Sequence, residues 1–482
     1  MRVWHSSSTR RSFTESAAVR LRTTELNSSS LSNLKINSDR LWETIHSTSR
    51  WSEPTGVDPS DIKRVGLRRL TLSKEDKEAR DWFISTTESL GCKTHVDEIG
   101  NIFAIRPGLN NDAPATFAGS HLDSQPSGGR FDGILGIAAG VEMLRTLNDN
   151  WIETEGPVGV VNWTNEEGAK FPVSMMGSGV WSGRLGLQKA WDVKSVINTG
   201  PVTTVKEELE TIGYLGNTPS SPKGTPIGAH FELHIEQGPK LEASAANVGV
   251  VMGVQAYKWF TVTITGRESH AGTTDFDHRA DALHAACQFI GAARNIARAA
   301  GGLSTVGMLS LSPGSVNTVP GEVRLSLDIR HPTDEGLATI LAEVENSCRD
   351  VSEAALKSSC PEDGSKTSHL RQIAFHMQET FSSPATKFHP DAVLCVEQAA
   401  AAMYPKERFE ANVKKMISGA GHDSVCTNDH CPTAMIFVPC KDGVSHNPAE
   451  WCEQEHCAVG ANVLMHSVLR MDRRRKEKGD FD

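Results

Sequence analysis

The 482-residue sequence predicts an α/β protein whose main sheet is interrupted by a smaller, ferredoxin-like α+β unit. Three observations carry that expectation. Apolar strand-like runs at 115–120 and 158–163 flank a helical stretch at 135–147, the alternation of a sheet covered by helices. Near Gln255 the pattern changes to the order β-α-β-β-α-β of a ferredoxin-like sandwich. From Pro390 the α/β pattern returns, with a strand at 433–438 and a helix from about Ala449.

Taken in order, ordered structure is expected from about Asp39. Ser73 opens a helix to about Leu90, with Asp76 placed for a capping box. Residues 96–105 predict a hairpin around Gly100-Asn101. In the interrupting unit, 258–265 alternates as a strand, 279–299 is an alanine-rich helix and 303–311 a second strand. Between Glu322 and Arg330, Val323, Leu325, Leu327 and Ile329 share one face, while Arg324, Ser326, Asp328 and Arg330 share the other. Residues 334–357 predict a helix, and 371–377 close the unit. The expected division is a tail (1–38), a catalytic domain in two parts (39–254 and 380–474), the inserted unit (255–379) and a charged tail (475–482).

Composition excludes several functions. Hydrophobic content of 38%, charged content of 22% and a net charge of −10 suit a globular protein and argue against non-specific nucleic-acid binding, which needs a basic face. No apolar run approaches the roughly 18–20 residues of a membrane span. Ten cysteines are present, five of them late (Cys426, Cys431, Cys440, Cys452, Cys457) and none in a CxxC pair, which suits reduced thiols rather than a zinc knuckle. The first 36 residues carry Arg2, Arg10, Arg11, Arg20 and Arg22 against Glu15 and Glu25, with many serines. That composition fits either a mitochondrial presequence or a disordered tail on a cytoplasmic protein.

The chemistry-bearing groups follow strand-like runs, and in open α/β sheets sites form at the carboxyl ends of strands. His121, Asp123 and Asp132 lie within twelve residues, a mixture of imidazole and carboxylate that suits divalent metals, and an aspartate can bridge two of them. Glu166-Glu167 follow the run at 158–163. Adjacent carboxylates are ordinarily a solvated pair, but here one can bind metal while the other serves as a general base. His234 and Glu236 alternate against Leu233 and Ile235 in a strand ended by Gly238-Pro239. His446 sits in a loop after the strand at 433–438, and His422-Asp423 in a glycine-rich loop where turn chemistry is the plainer reading.

The strings GSHLDSQPSGGRFDG, WTNEEGAKF, HFELHIEQGP, GVQAY, HAGTT, NTVPGEV, LDIRHP, SGAGHDS and SHNPAE occur in one order. Together they resemble the β-alanine synthase (β-ureidopropionase) and N-carbamoyl-L-amino-acid hydrolase family of di-metal amidohydrolases, with allantoate amidohydrolases close by, over residues from about 39 to about 474. The resemblance implies a di-metal aminopeptidase-like catalytic domain with an inserted lid and dimerisation domain, and two Zn2+ per subunit, with Mn2+, Co2+ or Ni2+ as substitutes. It implies His121, Asp132 and His234 around one metal and Asp132, Glu167 and His446 around the other. Asp123 would orient His121, and Glu166 would be the base. Relatives acting as peptidases or aminoacylases generally have a carboxylate at the position of His234, so His234 favours the carbamoyl branch.

Gln237, His270, Asn317, Arg330 and His422 match substrate-binding positions, some of them expected to come from the partner in a homodimer. Arg330 suits a substrate carboxylate through its planar fork, although an ion pair with Asp328 is the plainer reading. His270 could donate to a developing oxyanion. Asp275 stands where the family usually has proline. The expected reaction is hydrolysis of the carbamoyl C–N bond of a small N-carbamoyl amino acid, N-carbamoyl-β-alanine first, with N-carbamoyl-α-amino acids and allantoate as alternatives. An aminoacylase or dipeptidase, and a non-catalytic ureide-binding protein, are the rival readings.

Overall fold

The computed structural model describes residues 33–56, 61–197, 200–357 and 372–480. The arginine-rich N-terminal segment lies almost wholly outside them. From Ile36 onward the described residues form one compact unit. Its main sheet has nine strands. At its centre run four adjacent strands, β1 (Ala115–His121), β2 (Val158–Trp163), β3 (Ile227–Ile235) and β7 (Thr433–Val438), in the spatial order β7-β3-β1-β2 and mutually parallel. Nearly every residue of the four is buried, as expected of strands covered on both faces. Helix α1 (Ile134–Asp149) and the C-terminal α4 (Gln454–Glu477) pack on this sheet. The hairpin around Gly100-Asn101 forms as expected, pairing Lys93–Val96 with Ile102–Arg106.

The second sheet is built from β4 (Ala256–Thr265), β5 (Glu322–His331) and β6 (Ala374–Ser383), with short strands Leu303–Thr305 and Leu309–Ser312 on the far side of β5. All its pairings are antiparallel. Helices α2 (Ala282–Ala299) and α3 (Asp334–Lys357) cover one face. Val323, Leu325, Leu327 and Ile329 point into that helix-covered core with Val262, Ile264 and Phe289, as the alternation predicts. The other face carries Tyr257, Trp259 and Arg330.

Several details depart from the sequence expectations. The strand expected at 303–311 is two strands, because residues 306–308 leave the ladder while Ser326 Oγ accepts from the amides of Gly307 and Met308. Helix α4 starts at Gln454 rather than near Ala449, because Glu450 turns inward to accept from the amides of Phe131 and Asp132. The same helix runs to Glu477, into the expected charged tail, and buried Arg475 reaches the carbonyl of Pro114. Ser73 caps the helix Lys74–Ser89, but Asp76 answers to the amide of Leu72 and to Arg80 instead of closing the box on Ser73.

Candidate metal centre and cleft

All the expected ligands come from the carboxyl ends of the four parallel strands, or from the loops just beyond. His121 is the last residue of β1, Glu166 and Glu167 follow β2, His234 is next to last in β3, and His446 lies in the loop after β7. Asp132 sits in the turn before α1, and Gly133 takes φ +69° there with its α-carbon against the His121 ring, where an added Cβ would come within 2.3 Å of the imidazole. Asn165, Gln237 and His446 also adopt left-handed backbone, at φ +55°, +57° and +54°. Such strain in non-glycine residues collects at functional sites.

Among the described residues two groups have the make-up and spacing to hold a metal ion: His121, Asp132 and His234, and Asp132, Glu167 and His446. Asp132 belongs to both. Its Oδ1 lies 3.0 Å from His234 Nε2 and 3.5 Å from His121 Nε2, while its Oδ2 lies 3.4 Å from His446 Nε2. Glu167 Oε2 is 3.4 Å from the same His446 nitrogen. One carboxylate therefore faces two triads with separate oxygens.

The tautomers fit metal binding. His121 Nδ1 lies 2.9 Å from the carbonyl of Asp123, and His234 Nδ1 lies 2.9 Å from the carbonyl of Ile235. A carbonyl only accepts, so each Nδ1 carries a proton and each Nε2 is the nitrogen left to face Asp132, where it can bind a metal once it gives up any proton of its own. His121 Nε2 is buried without a hydrogen-bond partner, an arrangement a cation would relieve. Burial pushes the Glu166 carboxyl well above its usual range and Glu167 up to about 7, with neighbouring carboxylates adding to both. Burial works against the Asp132 charge as well, but His234 and the contacts of the three histidines hold it well below the usual range. A buried cluster with this much negative charge and unpartnered imidazole nitrogen has the donor set of a divalent-metal site.

The Asp123 side chain does something different from orienting His121 through its carboxylate. Its Oδ1 is 3.8 Å from His121 Nδ1, and the carbonyl of the same residue makes the short contact instead. The carboxylate accepts from the amides of Glu166 and Glu167, 3.4 and 3.3 Å away, and so holds the loop that carries both glutamates. Glu166 belongs to neither triad. Its Oε2 lies 3.6 Å from His121 Nε2, and the side chain lines a cavity of about 310 Å³ in front of both triads. Glu236 turns away to cap the amides of Lys240 and Leu241.

Three of the five expected substrate residues line the same cavity: Gln237, Arg330 and His422. Gln237 Nε2 donates to Asp132 Oδ2 at 2.8 Å. His422 lies 4.6 Å from the His234 ring, centre to centre; burial holds its pKa well below the usual value, so it is neutral. Arg330 does pair with Asp328, as the plainer reading had it, and Nη1 also donates to the carbonyl of Gly419. It lies over the Tyr257 ring at 4.9 Å and still faces the cavity. His270 and Asn317 are elsewhere. His270 lies on the small ribbon Ser269–His270 with Thr318–Val319, its Nδ1 accepting from the amides of Gly272 and Thr273, and Asn317 lies in the turn just before that ribbon, accepting from Ser315.

The sequence reading missed Gln125, which donates to Glu167 Oε2 at 2.7 Å, and Ser445 and Glu450, which reach Asp132 from the loop of His446. It also missed Tyr257 and Trp259 as cavity walls. Four of these five lie inside strings already singled out: Gln125 in GSHLDSQPSGGRFDG, Tyr257 in GVQAY, and Ser445 and Glu450 in SHNPAE. Period-two alternation from Tyr257 was the available signal for Trp259.

A sheet of this order, with one aspartate shared between two ligand triads at its strand ends, is the framework of a metal-dependent hydrolase. The chain belongs to Peptidase family M20/M25/M40, whose profile matches residues 117–470. It is 37% identical over 439 residues to an N-carbamoyl-L-amino-acid amidohydrolase of Rhizobium meliloti, covering 91% of this chain and 97% of the relative. An allantoate amidohydrolase of Escherichia coli is 29% identical over 88% of this chain and 96% of its own length. Among solved structures, a hydantoinase/carbamoylase-family amidase from Burkholderia multivorans superposes with a TM-score of 0.79 at 38% identity, covering 91% of this chain and 98% of that one.

Proposed function

We propose that the chain hydrolyses the carbamoyl C–N bond of an N-carbamoyl-L-α-amino acid. The observation that carries this reading is Arg330 in the same cavity as both triads, a carboxylate receptor beside a hydrolytic centre. Of the five N–H groups of its guanidinium, three are engaged by Asp328 and Gly419, which leaves two for a substrate carboxylate. Two relatives named for N-carbamoyl-L-amino acids, at 37% and 35% identity, support the α-amino class. So does the wall formed by Tyr257 and Trp259, an apolar surface that suits a side chain β-alanine does not have. N-carbamoyl-β-alanine, to which the motif order pointed, and allantoate are the comparison substrates.

The proposed ions are two Zn2+, held by His121, Asp132 and His234 and by Asp132, Glu167 and His446. When bound, such a pair polarises a carbonyl and lowers the pKa of water. Glu166, outside both triads, takes the proton of the attacking water and passes it to the leaving nitrogen. The water oxygen adds to the ureido carbon, the bond from that carbon to the amino-acid nitrogen breaks, and the released carbamate falls to ammonia and carbon dioxide. Gln237 and His422 position the ureido group, and Asp123 holds Glu166 and Glu167 in place. Because His270 and Asn317 stand outside the cavity of their own chain, the reading gives them to the cavity of a second copy in a homodimer, joined through the inserted unit acting as lid. Exposed Leu303, Met308, Leu309 and Leu311 at the edge of the second sheet suit such a contact. Ammonia release from metal-loaded protein, across N-carbamoyl-L-α-amino acids, N-carbamoyl-β-alanine, allantoate and N-acetyl amino acids, tests the reading. Turnover of the first class supports it; release of acetate without ammonia from any carbamoyl compound overturns it.

A further inference from the structure

The ligands of the second triad are not equally well held. Glu167 is fastened by Gln125, whose amide nitrogen and side chain both donate to its carboxylate. His121 and His234 are each fixed by a backbone carbonyl at Nδ1. His446 is about half exposed, sits on left-handed backbone, and has no such carbonyl partner among the described hydrogen bonds. Something other than its own surroundings must hold its loop at the correct distance from Asp132.

We propose that Glu450 is that element: a positioning residue that ties the Asp132 turn to the His446 loop and so sets the spacing of the second triad. The inference rests on the metal site proposed above. Glu450 is 1% exposed, and each of its two oxygens serves one loop. Oε1 accepts from the amides of Phe131 and Asp132, at 2.9 and 3.1 Å. Oε2 lies 2.9 Å from Ser445 Oγ, and Ser445 Oγ is in turn 2.8 Å from Asp132 Oδ2. The link therefore runs from the backbone of the bridging aspartate, through Glu450 and Ser445, to the neighbour of His446 and back to the aspartate's own carboxylate.

The turn is shaped to admit this side chain. At Gly129 an added Cβ would stand 2.1 Å from the Glu450 carboxyl carbon. No other residue type leaves room for the carboxylate to pass beneath the turn. On the far side, Asn447 caps the loop, accepting from Ala449 at its side chain and from Glu450 at its carbonyl. The neighbours of both ends pack together, the Phe131 and Trp451 rings meeting edge to face at 5.5 Å. This also accounts for the late start of α4: residues 449–453 are drawn into the site instead of starting the helix.

The test is zinc titration against a chromogenic chelator, with the absorption spectrum of the cobalt(II)-loaded protein as a second readout. Wild type takes two ions. Glu450→Ala and Gly129→Ala are expected to keep the first and to bind the second roughly 10- to 100-fold more weakly, the usual effect of losing a group that orients metal ligands, with a changed cobalt spectrum. Glu450→Gln keeps an oxygen for both amides and an NH2 that can donate to Ser445, and is expected to restore most of the affinity. Ser445→Ala removes the hydroxyl that stands between Glu450 Oε2 and Asp132 Oδ2 but leaves Glu450 Oε1 on the amides of Phe131 and Asp132, and is expected to fall between them. If Glu450→Ala folds poorly, the Ser445→Ala and Glu450→Gln titrations decide the matter alone. Two ions bound by Glu450→Ala or Ser445→Ala at wild-type affinity would overturn the proposal, as would a Glu450→Gln variant as weak as the alanine. A wild type that takes no metal removes the site itself, and so is distinguishable from a wild type and variants that all take two.

Discussion

The two larger sheets among the described residues supply functional groups in opposite ways. The central strands of the main sheet deliver six side chains to one place because β7, β3, β1 and β2 are adjacent and parallel, so their carboxyl ends share an edge. The second sheet is antiparallel, covered by helices on one face only, and its open face gives Tyr257, Trp259 and Arg330 to the cavity wall, none of them a member of either triad. Arg330 reaches the cavity while His270 and Asn317 stay outside it. A parallel sheet can gather both candidate triads within one chain; the antiparallel unit brings Arg330, the proposed carboxylate receptor, to the same cavity and leaves His270 and Asn317 outside it.

Four perturbations sharpen that contrast, in descending order of effect. Glu166→Gln in the strand-end cluster should lower turnover by roughly 10²–10⁴ while elemental analysis still finds two ions; near-normal kcat would remove Glu166 from the role of base. Arg330→Lys on the second sheet should leave metal content unchanged and raise KM by roughly 10- to 100-fold, the worth of a charge-assisted hydrogen-bond pair. An unchanged KM in steady-state assays would return Arg330 to a purely structural pair with Asp328. His270→Ala should slow turnover, and mixing it with Glu166→Gln protein should regain part of the lost activity if His270 serves a second copy. No recovery in the mixed sample breaks the contrast.

Counted per pH unit, the smallest effect is one of pH. Both Glu167 and His446 must lose a proton to bind metal. In the metal-free protein burial pushes Glu167 up to about 7, and its hydrogen bond to Asp132 raises His446 to about 9. Because both values are raised, the proton-bound forms prevail below them and compete with the metal. Affinity for the second ion should therefore climb as pH rises from 6 toward 9, by up to about tenfold per unit for each proton released. Calorimetric titration in buffers of different ionisation enthalpy measures that release, and a pH-independent affinity would count against this ligand set.

What could be read from the sequence follows the same divide. His121, Glu167 and His234 stood out as candidates because a polar group at the end of an apolar strand leaves a local mark, Asp132 stood out only as a carboxylate eleven residues beyond His121, and their grouping into two triads came from the resemblance; Val323, Leu325, Leu327 and Ile329 announced their sheet face by period two. The contacts that join distant loops left no such mark. Glu450 is more than three hundred residues from the Asp132 amide it accepts from, and nothing in 449–453 opposed reading the helix from Ala449. The resemblance gave the Asp123 carboxylate to His121, yet in space it lies closer to the amides of Glu166 and Glu167. Trp259 fell inside the expected strand and Tyr257 just before it, but alternation alone does not say that their face borders a cavity.

The central claim is that Asp132 is shared by two metal sites, and counting ions in three proteins tests it most directly. The account predicts two ions per chain in the wild type, one in His446→Ala, and none in Asp132→Ala, measured by elemental analysis after metal loading and gel filtration. A wild type holding only trace metal, or an Asp132→Ala protein that keeps one or two ions, would contradict it.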